Sequence, residues 1–405
     1  MIANEYRISC SAISRVKESI GGTIRFLVAA ISCLFCSVSI AQAELPVFFA
    51  GTAIIGASQG QSERYPHVSE LLELEDERGA SLVDTLLVER LRATETGHNF
   101  QFGELADYRD GDGVVLALAI DWENVSTTDI DGNTKYVVDV HGQVLAFDYS
   151  TMKVVGAFPI GVQVRDARKG GPSHDHARAL ARRALIGEDD FGLLASFVEM
   201  LKQVELKPAY SNRIQVTTAE LSPETVSVVA ELGLDADAFS ARVGQTMSKY
   251  LASNQAVPVL PFKKGTVIGN QMAAQFTNGD VYQLEIPNPD YTVSFTVDRL
   301  RKLELDRTSS QIAYLYGLYA TARVSQPLLE KDYANHQFKY AVSSTVPVGI
   351  RPDDPAAFEE LVLSSINSFT QQISDPQREW VDKWGVTDGI QNAFLEIDDV
   401  LAKCR

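Results

Sequence analysis

Gly56-Ala57-Ser58-Gln59-Gly60 has the G-x-S-x-G spacing with which serine hydrolases hold a nucleophile on a tight turn between strand and helix. Ser58 falls about 15 residues after the expected start of the exported chain, before such a fold would have built its central sheet, so a small-residue turn is the expected reading. His174 and His176 in Ser173-His174-Asp175-His176 could both face a metal from extended backbone, but no third ligand is near in sequence. The following apolar periodicity instead makes this the start of a helix, with Ser173 or Asp175 as N-cap. Asp110-Gly111-Asp112-Gly113 and Asp129-Ile130-Asp131-Gly132-Asn133 look like calcium-loop fragments, yet their flanks read as strands, which makes them turns. Asp121 and Asp298 could serve as acid and base if they shared a cleft, and solvated strand positions are expected for both. No glycine-rich phosphate loop follows a strand, no Cys-x-x-Cys occurs, and the six histidines are scattered. The expectation is a non-enzyme with no catalytic, cofactor or metal site.

These residues are carried on a meander at 114–164. Leu116, Leu118, Ile120 and Trp122 alternate with Ala117, Ala119 and Asp121, and Tyr136, Val138, Val140 and Val144 alternate with Asp139, His141 and Gln143. Period-two alternation predicts strands with one face on a core and the other near water. A third strand runs from Val154 through Phe158 to Val164. Asp131-Gly132 is the expected first hairpin turn, and Asp148-Tyr149-Ser150-Thr151 the second.

At the N-terminus, Arg25 precedes an apolar run at 26–40, followed by Ala41-Gln42-Ala43. This reads as a secretory signal peptide over 1–43, cleaved near Ala43, which places the protein in a Gram-negative periplasm. The run is shorter than a membrane span, which needs about 20 residues. Lipidation at Cys33 or Cys36 is not expected, because the residues before them fit a lipidation box poorly. Cys10, Cys33 and Cys36 leave with the leader, so no intramolecular disulfide is available to Cys404, which reads as a frayed terminal cysteine. The 405-residue chain carries a formal charge of −17, which becomes −19 once the leader's four basic and two acidic residues are gone. That balance excludes nucleic acid and anionic lipid surfaces as natural partners.

The chain also repeats itself. The segment at 291–298 lies over 114–121, matching Leu116 with Val293, Leu118 with Phe295, Ile120 with Val297 and Asp121 with Asp298. The next strand matches with a two-residue slip, Val138, Gly142 and Ala146 falling opposite Ala313, Gly317 and Thr321. Strands at 46–55 and 213–221 and helices at 81–92 and 239–251 precede the two meanders. Helices at 189–206, with Phe191 on the inward stripe, and at 355–373 follow them. The predicted fold is α+β: two tandem duplicated units, 44–208 and 209–374, each a helix-flanked, mainly antiparallel sheet built on a three-strand meander. A C-terminal helical tail at 375–405 includes a helix at 389–402 that docks back on the body.

The unit order of strand, helix, short strand, meander and helix, together with the leader, resembles the periplasmic α/β domain of the curli-secretion lipoprotein family and the amino-terminal domain of the Tol-system translocation protein. The resemblance covers 45–206 and 213–373 and implies a non-catalytic envelope domain that binds other proteins or helps assemble a surface structure. The expected function is therefore an exported, soluble interaction or assembly factor whose partners are other envelope proteins. The alternatives are a periplasmic protein binding a ligand between the repeats, and a hydrolase using Ser58.

Overall fold

The computed structural model describes residues 46–56, 64–103, 113–130, 132–188, 190–263 and 270–405. Residues 1–45, with Cys10, Cys33 and Cys36, and also Ser58, Asp110, Asp112 and Asp131, lie outside the described residues.

The first repeat runs β1 (Pro46–Ile55), α1 (Val68–Leu72), α2 (Leu82–Ala93), β2 (Asn99–Phe102), β3 (Val114–Ile130), β4 (Asn133–Asp148), β5 (Lys153–Lys169), α3 (His174–Leu185) and α4 (Leu193–Gln203). The second runs β6 (Ile214–Leu221), α5 (Pro223–Glu231), α6 (Ala236–Gln255), β7 (Val259–Leu260), an inserted hairpin of β8 (Gln271–Phe276) and β9 (Val281–Glu285), then β10 (Tyr291–Arg307), β11 (Gln311–Gln326), β12 (Lys331–Pro347) and α7 (Asp354–Gln371). Two further helices, α8 (Arg378–Trp384) and α9 (Ile390–Ala402), end the chain. The fold is α+β.

The first meander turns where the local chemistry allows. Gly132 supplies a positive φ of 76° between Ile130 and Asn133, and Asp148 Oδ1 accepts from Ser150 Oγ and Thr151 N in the second turn. Helix starts are capped by side chains that accept an orphan amide: Ser81, Ser173, Ser222, Asp235 and Asp353. Pro355 sits in the first turn of α7, where its missing N–H costs nothing.

The two sheets have the same plan. The order β2-β1-β3-β4-β5 in the first corresponds to β7-β6-β10-β11-β12 in the second. In each the first strand is parallel to its neighbours and the meander is antiparallel. Three β-bulges also recur at equivalent places, at Ala50 and Thr217, Asp121 and Asp298, and Val155 and Tyr333. Matching bulges fix the true alignment. Ile120 and Val297 pair with Gly142 and Ala320, so Gly142 corresponds to Ala320 and not to Gly317. The sequence alignment of β4 with β11 was three residues out, an odd slip that sets one strand's inward face against the other's outward face.

The surroundings of the sheets differ. One face of the first sheet carries Leu116, Leu118 and Ile120 and packs against helices α1 to α4. The inward stripe of α2 is Val83, Leu87 and Leu91, and Phe191 lies ahead of α4 with its ring exposed beneath Arg183. The other face was expected near water, but Ala117, Ala119, Leu145 and Phe147 are fully buried in a second core with Met272, Ala274 and Leu284. The cause is the inserted hairpin. Strand β8 pairs with the end of β1 and β9 meets the start of β5, so the hairpin closes the first sheet on itself. Small side chains at 117 and 119 leave room for it. Asp84 in α2 ties the hairpin down, accepting from Thr52 N at 2.7 Å and from Thr277 Oγ1.

The second sheet buries its other side only once. Phe295, Val297, Leu318 and Phe338 pack against α6, α7 and α9 in the third core, which also takes in Trp380. Its opposite face carries Thr292, Ser294 and Thr296 on β10 beside Ser325, Arg323 and Thr321 on β11, and these are half-buried or exposed. Ala119 and Thr296 are therefore equivalent residues in opposite environments. Ala119→Thr should destabilise by about 1–3 kcal/mol, because it forces volume and a hydroxyl into the closed core. Thr296→Ala should stay within about 0.5 kcal/mol. Urea unfolding of both variants checks this, and equal costs would contradict the assignment of the two faces.

Candidate functional site

The seam between the repeats brings buried charged groups of both together, Asp139 from the first and Arg242 from the second. Helix α6 crosses the first sheet beside β5, while its other side faces α7 and β6. At Gly244 the helix lies so close to the Phe262 ring that a Cβ would sit 2.3 Å from it. From α6, Arg242 reaches Asp139 on β4 at 3.0 Å with one Nη and Glu359 on α7 at 2.9 Å with the other. Asp139 Oδ1 also accepts from Gln163 at 2.7 Å, and the carboxylate is 1% exposed. Burial raises the Glu359 carboxyl, against the pull of Arg242.

Two turns on, Lys249 donates from Nζ to the Gly161 carbonyl at 3.0 Å. Gly161 has no side chain because His141 fills the space, its ring 3.0 Å from where a Cβ would stand. Burial lowers the His141 imidazole to about 3, helped by the Lys249 charge, and burial also lowers Lys249. His141 is thus held neutral. A cleft of about 430 Å³ opens beside these groups and is lined by Arg165, Tyr250 and Asn367 among others. A second, of about 600 Å³, shares Lys249 and includes Arg90 and Lys202.

Beneath the seam lies Asp121. It is the bulged residue of β3 and accepts from Gln143 Nε2 at 3.3 Å, while Asp298, its equivalent, accepts from Thr321 Oγ1 at 2.7 Å and Gln337 Nε2 at 3.0 Å. The two carboxylates occupy corresponding bulges of separate sheets and do not form a pair. Nor is Asp121 solvated as expected: burial pushes its carboxyl up to about 7. A small cavity of about 20 Å³ touches Asp121, Gln143, Gln245 and Ser248, and the Oε1 atoms of both glutamines are buried without a protein partner. That is room for one water with polar partners around it. Nearby, Glu123 accepts from His67 N and Val68 N, and burial raises it to about 7 as well.

The histidine pair separates. Ser173 caps α3, as expected, accepting from His176 N at 3.3 Å. His176 Nε2 meets Asp166 at 2.8 Å, whereas the His174 ring lies against buried His67 with centroids 4.6 Å apart. Among the described residues, no group of three or more His, Cys, Asp or Glu is placed to hold a metal. Gly132 N donates to Asp129 Oδ1 at 3.4 Å within a hairpin turn between strands. Cys404 is not frayed. It is fully buried in the second repeat's core, and burial raises its thiol to about 12.

Sequence reasoning missed Arg242, Lys249 and Glu359. Arg242 stood next to the predicted stripe of Phe239, Val243 and Met247, and Asp139, His141 and Gln143 on β4 formed the complementary polar row. The row was assigned to water because nothing in one repeat shows that the other covers it.

No family model matches the chain, and no curated protein matches it. Among solved structures it is similar to a minor lipoprotein from Acinetobacter baumannii, at 12% identity over 40% of this chain and 93% of that one, with a TM-score of 0.22. It is also similar to rare lipoprotein B from Shewanella oneidensis, at 12% identity over 39% of this chain and 91% of that one, with a TM-score of 0.19. Scores this low carry no argument about activity. Among the described residues no helix is long and apolar enough to cross a membrane.

Two outcomes test the seam. Arg242→Met strands Asp139 and Glu359 without their cation and should cost about 3–5 kcal/mol in urea unfolding, while replacing all three residues with apolar ones of similar volume should recover most of it. A loss below about 1 kcal/mol would show that the triad does not tie the repeats. For Asp121, the unfolded carboxyl ionises near pH 4 and the folded one near 7. The native state therefore binds the extra proton between those values, and the wild type loses stability as pH rises through that window. Asp121→Asn should raise the thermal midpoint over wild type at pH 8 and not at pH 4. An offset of equal size at both pH values would rule this out.

Proposed function

We propose that the protein is an exported, non-enzymatic interaction or assembly factor of the Gram-negative cell envelope. The observation that carries this reading is the unequal closure of two like sheets. The first is covered on both faces and closed by the β8–β9 hairpin, while the second leaves one face, and the outer side of β12 from Ala341 onward, uncovered among the described residues. A rigid sheet with an accessible edge offers main-chain hydrogen bonds to an extended partner. The leader at 1–43 supports export, and the resemblance to the curli-secretion and Tol-system domains points the same way. The groups able to do acid–base chemistry, His141, Lys249 and Asp139, are engaged in joining the repeats.

The second reading is a ligand-binding protein, favoured by the cleft beside Lys249, whose ammonium has donors to spare beyond Gly161. A small anion bound there would raise the thermal midpoint, since it would bind only the native state.

The test is in-cell photo-cross-linking from Thr321 on the open face and Ser343 on the edge, with exposed Lys202 on α4 as control. The expected result is reproducible adducts from the first two positions, with other envelope proteins or with a second copy of this chain, and none from the third. No adducts, or the same adducts from all three, would overturn the proposal.

A further inference from the structure

Strand β12 forms the outer edge of the second sheet. Its outer side is engaged at one place only among the described residues. Gln337 donates its amide to Thr387 Oγ1 at 3.1 Å and accepts from Val386 N at 3.1 Å, in an antiparallel bridge centred on Phe338 and Gly385. Gln337 therefore turns its main-chain groups away from β11. The register with β11 is unbroken from Asn335 to Pro347, so Lys339, Ala341, Ser343 and Thr345 point theirs the same way. Trp384 stacks on Tyr340 at a centroid distance of 4.8 Å, which flanks the edge near Lys339 and leaves it open from Ala341 onward. In the first repeat the same edge is closed. There the equivalent of Lys339 is Gly161, whose carbonyl is taken by Lys249, and the start of β5 meets β9.

The open stretch is also unusual in composition. Residues 340–350 contain no charged side chain, in a chain of net charge −17, and Lys339 and Arg351 bound the stretch. Natural edges are usually blunted by charge, a bulge or a cover. On the core side Tyr340, Val342 and Val346 are only half-buried.

We infer that this edge pairs with the same edge of a second copy, antiparallel about a two-fold axis at Ser343. The inference rests on the reading of the second sheet as the interaction surface. Charge chooses the occupant: two copies this acidic can approach closely only through uncharged surface, whereas a basic partner would be drawn to the acidic remainder of the molecule. The edge is also self-complementary. With Ser343 opposite Ser343, outward main-chain groups meet outward groups, Ala341 faces Thr345 and Val342 faces Ser344. Tyr340 faces Val346, an aromatic and β-branched pair, and Lys339 faces neutral Pro347, so no like charges are opposed. The pairing makes one continuous sheet across the dimer and covers the half-buried apolar side chains on its core side.

The test is the oligomeric state of the purified protein by size exclusion with light scattering across a concentration series. A dimer is expected. Ser343→Cys should give a disulfide-linked dimer on mild oxidation, because a hydrogen-bonded antiparallel pair holds its Cα atoms about 5.5 Å apart, within disulfide reach. The thiol of Cys404 is buried and does not compete. Ser343→Lys sets like charges across the axis, and Thr345→Pro removes an amide that points outward and makes no bond within the sheet. Each should weaken association at least tenfold with unchanged circular dichroism. A monomer at every concentration, or a dimer that persists in both variants, would overturn the inference. Envelope-protein adducts from Ser343 combined with a monomer would leave the interaction reading standing and reject the second copy as occupant.

Discussion

A strand with apolar residues on both faces must be covered twice, and β3 imposes that demand on the whole molecule. Leu116, Leu118 and Ile120 are met by helices of the first repeat. Ala117 and Ala119 can be met only from outside it, and the second repeat supplies the cover as the β8–β9 hairpin together with Leu260 of β7. Apolar burial contributes roughly 25 cal/mol per Å², so this second core supplies much of what holds the repeats together. It has no directional content, however. Alanines and leucines would tolerate many ways of laying a helix across a sheet.

Orientation comes from the polar seam. The Asp139–Arg242–Glu359 triad has a planar guanidinium between two carboxylates carried by different elements, and its two Nη groups meet both carboxylates in one arrangement. Such buried ion groups add little net stability over an apolar substitute, because desolvation offsets their attraction, but they penalise every misaligned docking. Burial is also what moves His141 down and Asp121 and Glu123 up from their ordinary ranges. Each keeps the protonation state that its enclosed position favours.

This division of labour sets what the sequence could reveal. The strands of the meander, the turn at Gly132, the caps and the duplication were legible because each is written in neighbouring residues. Asp121 and Asp298 matched because both stand at the same bulge of corresponding strands. The second layer was not legible, since Ala117 and Ala119 suit a close-packed core and a bland outer face equally well. The inserted hairpin left a signal that went unread, with Asn278-Gly279 between Phe276 and Val281 marking a tight turn. Arg242 looked like a solvated residue beside an apolar stripe until the row of Asp139, His141 and Gln143 came to lie under it. Cys404 followed the rule that termini fray, which fails where a terminal helix supplies Phe394, Ile397 and Leu401 to a core.

Tandem duplication also explains why the two sheets end in different states. One repeat covers the other through unlike surfaces, and such a head-to-tail contact leaves a free end unless the arrangement closes into a ring. The second sheet is that free end. Its side chains answer the problem, with Thr292, Ser294 and Thr296 standing where Val115, Ala117 and Ala119 stand in the first. A face can be made compatible with water by exchanging side chains. An edge cannot, because the amides and carbonyls of β12 are present whatever residues carry them. The pairing capacity of β12 therefore survives the substitutions that made the open face polar, and the uncharged run from Tyr340 to Ile350 leaves it unguarded.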